Sequence, residues 1–492
     1  MSFLGIDVGT SALKACAYSD AGELIASVRI AVTVSRPDAG YEELDPNEVW
    51  TAVLSALRQL ADSEGVRRDP IQALAISASG DEVFPIDIAD NPLLPCLLSG
   101  DGRGADIEEE MAGARPVAEW FALCGHIPER MDPVARTIWL KRNHAGIMRR
   151  TSRLVGWHEY IILRLTGRAV IDPSLASKWA VFDSATGQWS DARAAAFGIS
   201  CDLLPEILPW RSIVGTIGPK LAGITGLSTG TAVCVGGFDA SVSALGSGVT
   251  SPASAGLTCG TWQNIIAPVA RGASGLRHPG TFEVPHPDGG DIAVVVQNPN
   301  GAAALSWACR LLGLPVEAAE AAFAAEGPEP GTLLALPNFS AANAPSSHGA
   351  LIGLTLSTQP ADVARAVFEA IGYQLAAATM ALHSRGLSLA AFRATGGGTR
   401  SAAWMQLQAD LTGVPIEVPA QDEPGAFGAA LLAMAAMKPG RTAAALADDL
   451  VHIARRYEPN AARRALHQER MTQYAALSGL NFFAGWRSGG AA

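Results

Sequence analysis

The sequence predicts an α/β protein built from two related halves. A hexapeptide pattern supports the two halves: Gly5-Ile6-Asp7-Val8-Gly9-Thr10 recurs in spacing as Gly256-Leu257-Thr258-Cys259-Gly260-Thr261, about half the chain apart. Short apolar runs that end in glycine-rich polar turns alternate with longer stretches of helical periodicity, as in α/β folds. The 492 residues are 49% hydrophobic and 17% charged, enough apolar material for two large cores and unlike a disordered chain.

Residues 3–14 carry the first signal. An apolar run meets Asp7, Gly9, Thr10 and Ser11, and apolar character resumes at Leu13. Two strands joined by a tight turn fit this pattern. A Gly-Thr-Ser turn offers backbone N–H groups and hydroxyls to an anion, and Asp7 at the strand end is placed to sit near a metal ion. The same residues also read as an ordinary hairpin with a polar turn.

Gly22 to Ile25 supplies another turn and strand. A helix is then predicted from Pro46, with Asp45 as N-cap and Glu48 at the third position; Val49, Trp50, Val53, Leu54, Leu57 and Leu60 recur on one face. Residues 71–77 read as a buried strand ending in Ser79-Gly80-Asp81-Glu82. Polar strand ends of this kind hold ligands in α/β folds, although a solvated turn explains the residues equally well. Asp101 and Arg103 pair an acid and a base in a flexible loop. Residues 135–144 and 154–165 read as helices, and Arg149, Arg150 and Arg153 as a solvated face. Asp172 to Ser174 and Ser177 to Trp179 form a polar segment that either lines a cleft or simply connects.

Residues 231–239 run from an apolar strand through Gly236-Gly237 to Asp239, with a small-residue helix following. Asp239 stands at a strand-to-helix junction, where it can cap the helix, act in chemistry, or do both. In the second half, residues 292–296 read as strand, and residues 302–312 and 361–383 as helix. Gly396-Gly397-Gly398 separates a strand from the helix 402–411, a geometry suited to close contact with a planar or anionic ligand. It is neither a Walker A loop nor a dinucleotide fingerprint. Gly425 and Gly428 open an Ala-rich helix and serve tight packing.

The net charge of −11 argues against nucleic acid or an anionic membrane as the main partner. Seven cysteines, an odd number with no two close in sequence, read as buried free thiols of a cytoplasmic protein. No signal peptide is visible, and the apolar stretch 426–437 is shorter than the ~18 residues a membrane span needs.

Taken in order, Asp7-Val8-Gly9-Thr10-Ser11, Gly236-Gly237-Phe238-Asp239, Leu257-Thr258-Cys259-Gly260-Thr261 and Gly396-Gly397-Gly398 resemble the FGGY carbohydrate kinases, the family of glycerol kinase, xylulokinase and ribulokinase. The resemblance spans residues 3 to about 437. It implies two actin-like, ribonuclease-H-like domains with ATP and sugar in a cleft between them. Residues 1–247 would be the N-terminal domain, with the sugar site, first phosphate turn and catalytic Asp; residues 248–492 would bind nucleotide.

By the same resemblance, Thr10, Ser11 and Lys14 face the phosphates, Asp7 organises Mg²⁺, and Gly260 and Thr261 form the second phosphate turn. Gly397, Gly398 and Ser401 line the adenine pocket, Gly301 contacts nucleotide, and Asp239 is the base that accepts the sugar hydroxyl's proton. Gly80, Asp81, Asp101 and Arg103, with Asp239, bind the substrate.

Three departures mark the sugar side. Xylulokinases carry Gln-Met-His-Gly and glycerol kinases Gln-Arg-Glu where this chain has Ser79-Gly80-Asp81-Glu82. Ser99 replaces the Trp of the family's Trp-x-Asp-x-Arg, and Ala341 to Pro345 replaces a charged Gly-Glu-Arg-x-Pro loop. The implied activity is a xylulokinase-like, ATP-dependent phosphorylation of a small sugar, ketose or polyol, by an enzyme that is often a homodimer in this family. Two other readings are a non-catalytic sugar-responsive switch that binds ATP, and an ATP-dependent enzyme with a non-sugar acceptor.

Overall fold

A computed structural model describes residues 1–128, 132–270, 276–277, 281–287, 292–325, 327, 329–339 and 349–478. The altered loop at residues 341–345 lies outside the described residues. The chain forms two compact units. The first comprises residues 1–251, 266–295 and 423–452, and the second residues 252–265, 296–422 and 453–492. Compactness therefore interleaves the units along the chain, whereas the expected halves 1–247 and 248–492 are contiguous.

The first unit is built on a seven-stranded mixed sheet. Its order is Ile213–Thr216, Ala232–Cys234, Ile71–Ala78, Ser2–Val8, Ala12–Ser19 and Leu24–Ala31, and the short strand Gly237–Phe238 also pairs with Ile71–Ala78. The opening hairpin is as expected: Ser2–Val8 and Ala12–Ser19 pair antiparallel, with Asp7 opposite Lys14. Ser2–Val8 then runs parallel to Ile71–Ala78, the intervening chain crossing over through the helix Pro46–Asp62.

That helix begins as its sequence dictates. Asp45 accepts from the Asn47 amide, Pro46 takes the first position, and Val49, Trp50, Val53, Leu57 and Leu60 are buried; Leu54 is half-buried against the core. One core cluster joins this face to Leu4, Ile6, Leu74 and Ile76 of the sheet. A second, on the opposite strand positions Phe3, Cys16, Ala73 and Ala75, receives the Ala-rich helix Pro424–Met437. Glycine is required for that contact: a Cβ on Gly5 would lie 1.7 Å from the Ala426 carbonyl oxygen.

One local expectation is corrected, and one is met in part. Residues 153–155 form a strand, and the helix starts only at Trp157, so 154–165 is not one helix. Arg153, in that strand, pairs with Asp90 at 3.0 Å, leaving Arg149 and Arg150 as the exposed members of the basic cluster.

In the second unit, Ser254–Thr258 runs parallel to Ala391–Thr395, which pairs in parallel with Ile416–Pro419. Ile453–Tyr457 closes this edge antiparallel. The helices Ala302–Leu311, Pro360–Ser384 and Ala402–Thr412 fall where periodicity places them. Trp404 is buried and donates its indole N–H to the Phe368 carbonyl at 3.3 Å. Six of the seven cysteines are buried, and Cys201 is partly exposed. No helix among the described residues is long and apolar enough to cross a membrane.

Candidate active-site residues

The chemistry-bearing residues of the first unit follow the carboxyl ends of three neighbouring parallel strands. Asp7 stands opposite Ser77, and Gly237 pairs with Ser77 from the other side. The three strands therefore deliver Asp7, the Ser79–Glu82 turn and Asp239 to one edge of the sheet, where α/β folds bind ligands.

Asp7 is held from within the sheet: Ser77 Oγ donates to its Oδ1 at 2.8 Å. Burial raises its pKa against the lowering effect of Ser77 and Lys14. The turn residues Thr10 and Ser11 are exposed, free of packing that would hide their hydroxyls. Lys14 forms an ion pair with Glu423 at 2.5 Å.

Asp239 is the first residue of the helix Asp239–Gly246, and Phe238 is its N-cap. The expected capping role is therefore corrected. The Asp239 carboxylate instead accepts from the next amide, Ala240, at 2.6 Å. Burial, reinforced by the charges of Asp7, Asp81 and Glu82, pushes its pKa up to about 7.

Two buried polar groups fix the strand leading to Asp239: His158, which sequence reasoning did not single out, and Ser174, from the polar segment read as cleft or connector. The Gly236 amide donates to Nε2 of the fully buried His158 at 3.2 Å, which assigns that nitrogen as the acceptor. The Phe238 amide donates to Ser174 Oγ at 3.0 Å, and Ser174 in turn donates to Asp172 at 2.5 Å. Burial holds the Asp172 carboxyl at about 6. Ser174 and Asp172 were signalled in sequence by the polar segment at 172–174, whereas His158, inside the helix Trp157–Thr166, left no signal.

The turn after Ile71–Ala78 is densely charged. Glu82 is buried, accepts from Ser79 Oγ at 2.5 Å, and is raised to about 7 by burial and by Asp81. Asp81 pairs with Lys178 at 3.0 Å. Asp101 and Arg103 form a separate cluster. Arg103 donates to both Asp101 oxygens at 2.8 and 2.6 Å, pairs with Glu43 at 2.6 Å, and lies 4.0 Å over the Tyr41 ring. Asp101 also accepts from the Glu42 amide at 2.7 Å. None of these contacts joins Asp101 or Arg103 to Asp81 or Asp239.

The second unit repeats the arrangement. Thr258 and Thr395 are opposite on parallel strands, and their continuations carry Gly260-Thr261 and Gly396-Gly397-Gly398. The Gly398 amide donates to the Cys259 carbonyl at 2.8 Å, and the Ala302 amide to that of Gly260 at 2.8 Å. Gly301 N-caps the helix Ala302–Leu311 directly against this turn, where a Cβ would lie 2.6 Å from the Gly260 oxygen. Thr261 and Gly397 are exposed, whereas Ser401 is buried and caps Ala402–Thr412 by accepting from the Trp404 amide. This unit thus brings Gly260, Thr261, Gly301 and Gly398 together in closely packed glycine turns held by backbone hydrogen bonds.

The N-terminal-domain description of the FGGY carbohydrate kinases matches residues 2–246, and the C-terminal-domain description residues 255–437. The chain belongs to the FGGY family of carbohydrate kinases. As in that family, it folds as two α/β domains of the actin-like type, and it is a sugar kinase. The xylulose kinase of Escherichia coli (strain K12) is 30% identical over 485 residues, covering 96% of this chain and 98% of that one. The gluconokinase of Bacillus licheniformis is 27% identical over 459 residues, covering 88% and 86%. Among solved structures, the xylulose kinase from Rhodospirillum rubrum matches with a TM-score of 0.87 at 24% identity, over 97% and 98% of the two chains. The relatives lend no support to a non-catalytic switch.

Proposed function

We propose that this FGGY kinase transfers the γ-phosphoryl group of ATP to a hydroxyl of a small ketose or polyol, as a xylulokinase-like enzyme, with Asp239 as general base. The observation that carries this reading is the place of Asp239: it follows a strand end beside Asp7 and Asp81, with its carboxyl raised to about 7. A sugar hydroxyl attacks poorly until its proton has an acceptor, and a carboxylate titrating near neutrality is well matched to that task. General-base help of this kind is worth ~10²–10⁴-fold.

The Asp7 region fits Mg²⁺ held mainly by phosphate and water. Its donor is a hard carboxylate oxygen, and no cluster of three or more His, Cys, Asp or Glu forms a protein cage among the described residues. Bound there, Mg²⁺ would neutralise charge on the transferred phosphoryl group. Thr10 and Ser11 present their amides and hydroxyls to the phosphates, and Lys14 adds a cation once its pairing with Glu423 is exchanged for the nucleotide. Gly260 and Thr261 form the second phosphate turn. Gly301, Gly397, Gly398 and Ser401 shape the nucleotide site by close backbone approach. Gly80, Asp81, Asp101 and Arg103 bind the sugar. In domain terms, residues 1–247 supply the sugar site, first phosphate turn and base, and residues 248–492 bind nucleotide.

The test is a coupled ADP-release assay across ketoses and polyols. Sugar-stimulated turnover that falls by ~10²-fold or more in Asp239→Asn supports the reading. Absence of stimulation by every sugar, or full turnover in Asp239→Asn, overturns it.

A further inference from the structure

A cation in the sugar half of the site has no place in the roles assigned so far. Lys178 is nearly buried, with its side chain 12% exposed. Its ammonium lies 3.0 Å from Asp81 Oδ1, 4.0 Å over the Phe282 ring and 5.4 Å over the ring of Phe238, the residue before Asp239. Glycine at position 80 makes this placement possible. A Cβ there would lie 2.8 Å from Lys178 Cγ and 3.1 Å from Leu175 Cδ2. The lysine stem thus occupies the space that a side chain at position 80 would take, and the aromatic faces hold its ammonium in the site.

The contact with Asp81 is one of charge more than of aligned hydrogen bonding, because Asp81 Oδ1 has no hydrogen-bond partner despite the short separation. An ammonium carries three donors, and a carboxylate accepts only. The two groups therefore keep capacity for a ligand: Lys178 can donate to an oxygen, and the second Asp81 oxygen, rather than the buried Oδ1, can accept from a hydroxyl beside it.

We propose that Lys178 and Asp81 act together as the specificity-determining pair of the sugar site, reading adjacent oxygen functions of an uncharged ketose or polyol. Lys178 donates to a carbonyl or hydroxyl oxygen, and Asp81 accepts from the neighbouring hydroxyl. The surrounding charge selects against a sugar acid. The charges of Asp7, Asp81 and Glu82 all bear on the Asp239 carboxyl, and that of Asp81 on Glu82, and one lysine already engaged with Asp81 does not offset an added carboxylate. This inference rests on the sugar-kinase reading above and deepens it.

The experiment measures KM and kcat for ketopentoses, pentitols and aldonates, and KM for ATP, in the wild type and in Lys178→Met, Lys178→Arg and the double variant Asp81→Asn/Lys178→Met. Methionine keeps the packed stem and removes the donors. The double variant removes the charge pair whole, so it avoids the unpaired buried carboxylate that could impair folding of the single variant. The expected result is a wild-type kcat/KM at least ~10-fold higher for a neutral substrate than for any aldonate, as loss of a charged hydrogen bond would give. Lys178→Met and the double variant should raise the KM of that substrate by ~10-fold or more while the KM for ATP changes less than about twofold, and Lys178→Arg should recover part of the loss. Preference for an aldonate, or a double variant with wild-type sugar KM, overturns the pair with kinase activity intact. A wild type that releases ADP with no member of the panel overturns both this inference and the activity it rests on.

Discussion

Ser174 Oγ accepts the amide hydrogen of Phe238 at 3.0 Å, one residue before Asp239. The same hydroxyl donates to Asp172 at 2.5 Å, and all three residues are buried. The carboxylate at the centre of the proposed chemistry is therefore aimed by a hydroxyl far away in sequence, through the backbone. Ser174→Ala leaves the Phe238 amide without its buried acceptor, a loss worth about 1–3 kcal/mol. Because small displacements of a base weaken proton transfer steeply, kcat should fall ~10–100-fold while sugar KM changes little. Steady-state kinetics on the best sugar check this, and an unchanged kcat would show that Ser174 does not position the base.

Asp239 sets the acid side of the rate profile. Its carboxyl is raised to about 7, and only the ionised form accepts a proton. The kcat/KM for sugar should therefore climb as pH rises through about 7 and level off above it. The stability sign follows from linkage. The folded value lies above the ordinary ~3.9, so the folded state binds the extra proton between pH 4 and 7, and this group lowers stability as pH rises through that window. Asp239→Asn removes that cost, and the variant should melt at a higher temperature than wild type at pH 8 but not at pH 4. A rate flat from pH 6 to 8, or an Asn variant that melts lower at pH 8, contradicts the assignment.

The parts of the site that sequence revealed are those that are local. Asp7, Thr10, Gly260 and Asp239 each sit in a short strand-turn pattern whose chemistry is visible in a few adjacent residues, and the structure puts each at a strand end. Lys178 and Ser174 were visible only as parts of a polar segment, cleft or connector, for the opposite reason. Each acts on a residue distant in the chain, Asp81 or Phe238, and only the fold brings them together. Leu154 and Val155 were read into the helix 154–165 because a three-residue strand leaves too short a pattern to show its period. Arg103 was legible in the same local way: the acid and base read as a pair two residues apart do pair, and the fold adds Glu43 and Tyr41 around the guanidinium.

On the nucleotide side, Gly301 and Gly397 should behave differently although both belong to the same proposed site. A Cβ at Gly301 would meet the Gly260 and Thr261 carbonyl oxygens at 2.6 and 2.7 Å, both backbone atoms of the phosphate turn. That turn has to shift, because a backbone contact of this kind cannot be relieved by a rotamer change. A Cβ at Gly397 would meet only the far end of the Arg400 guanidinium at 3.3 Å, which can move aside. Gly301→Ala should therefore raise the KM for ATP by ~10-fold or more, as expected when aligned donors are displaced, with sugar KM little changed. Gly397→Ala should stay within a few-fold of wild type for both substrates. ATP-dependence curves at saturating sugar decide the matter. Equal KM values for ATP in wild type and Gly301→Ala would remove the Gly260–Thr261 turn from the nucleotide site.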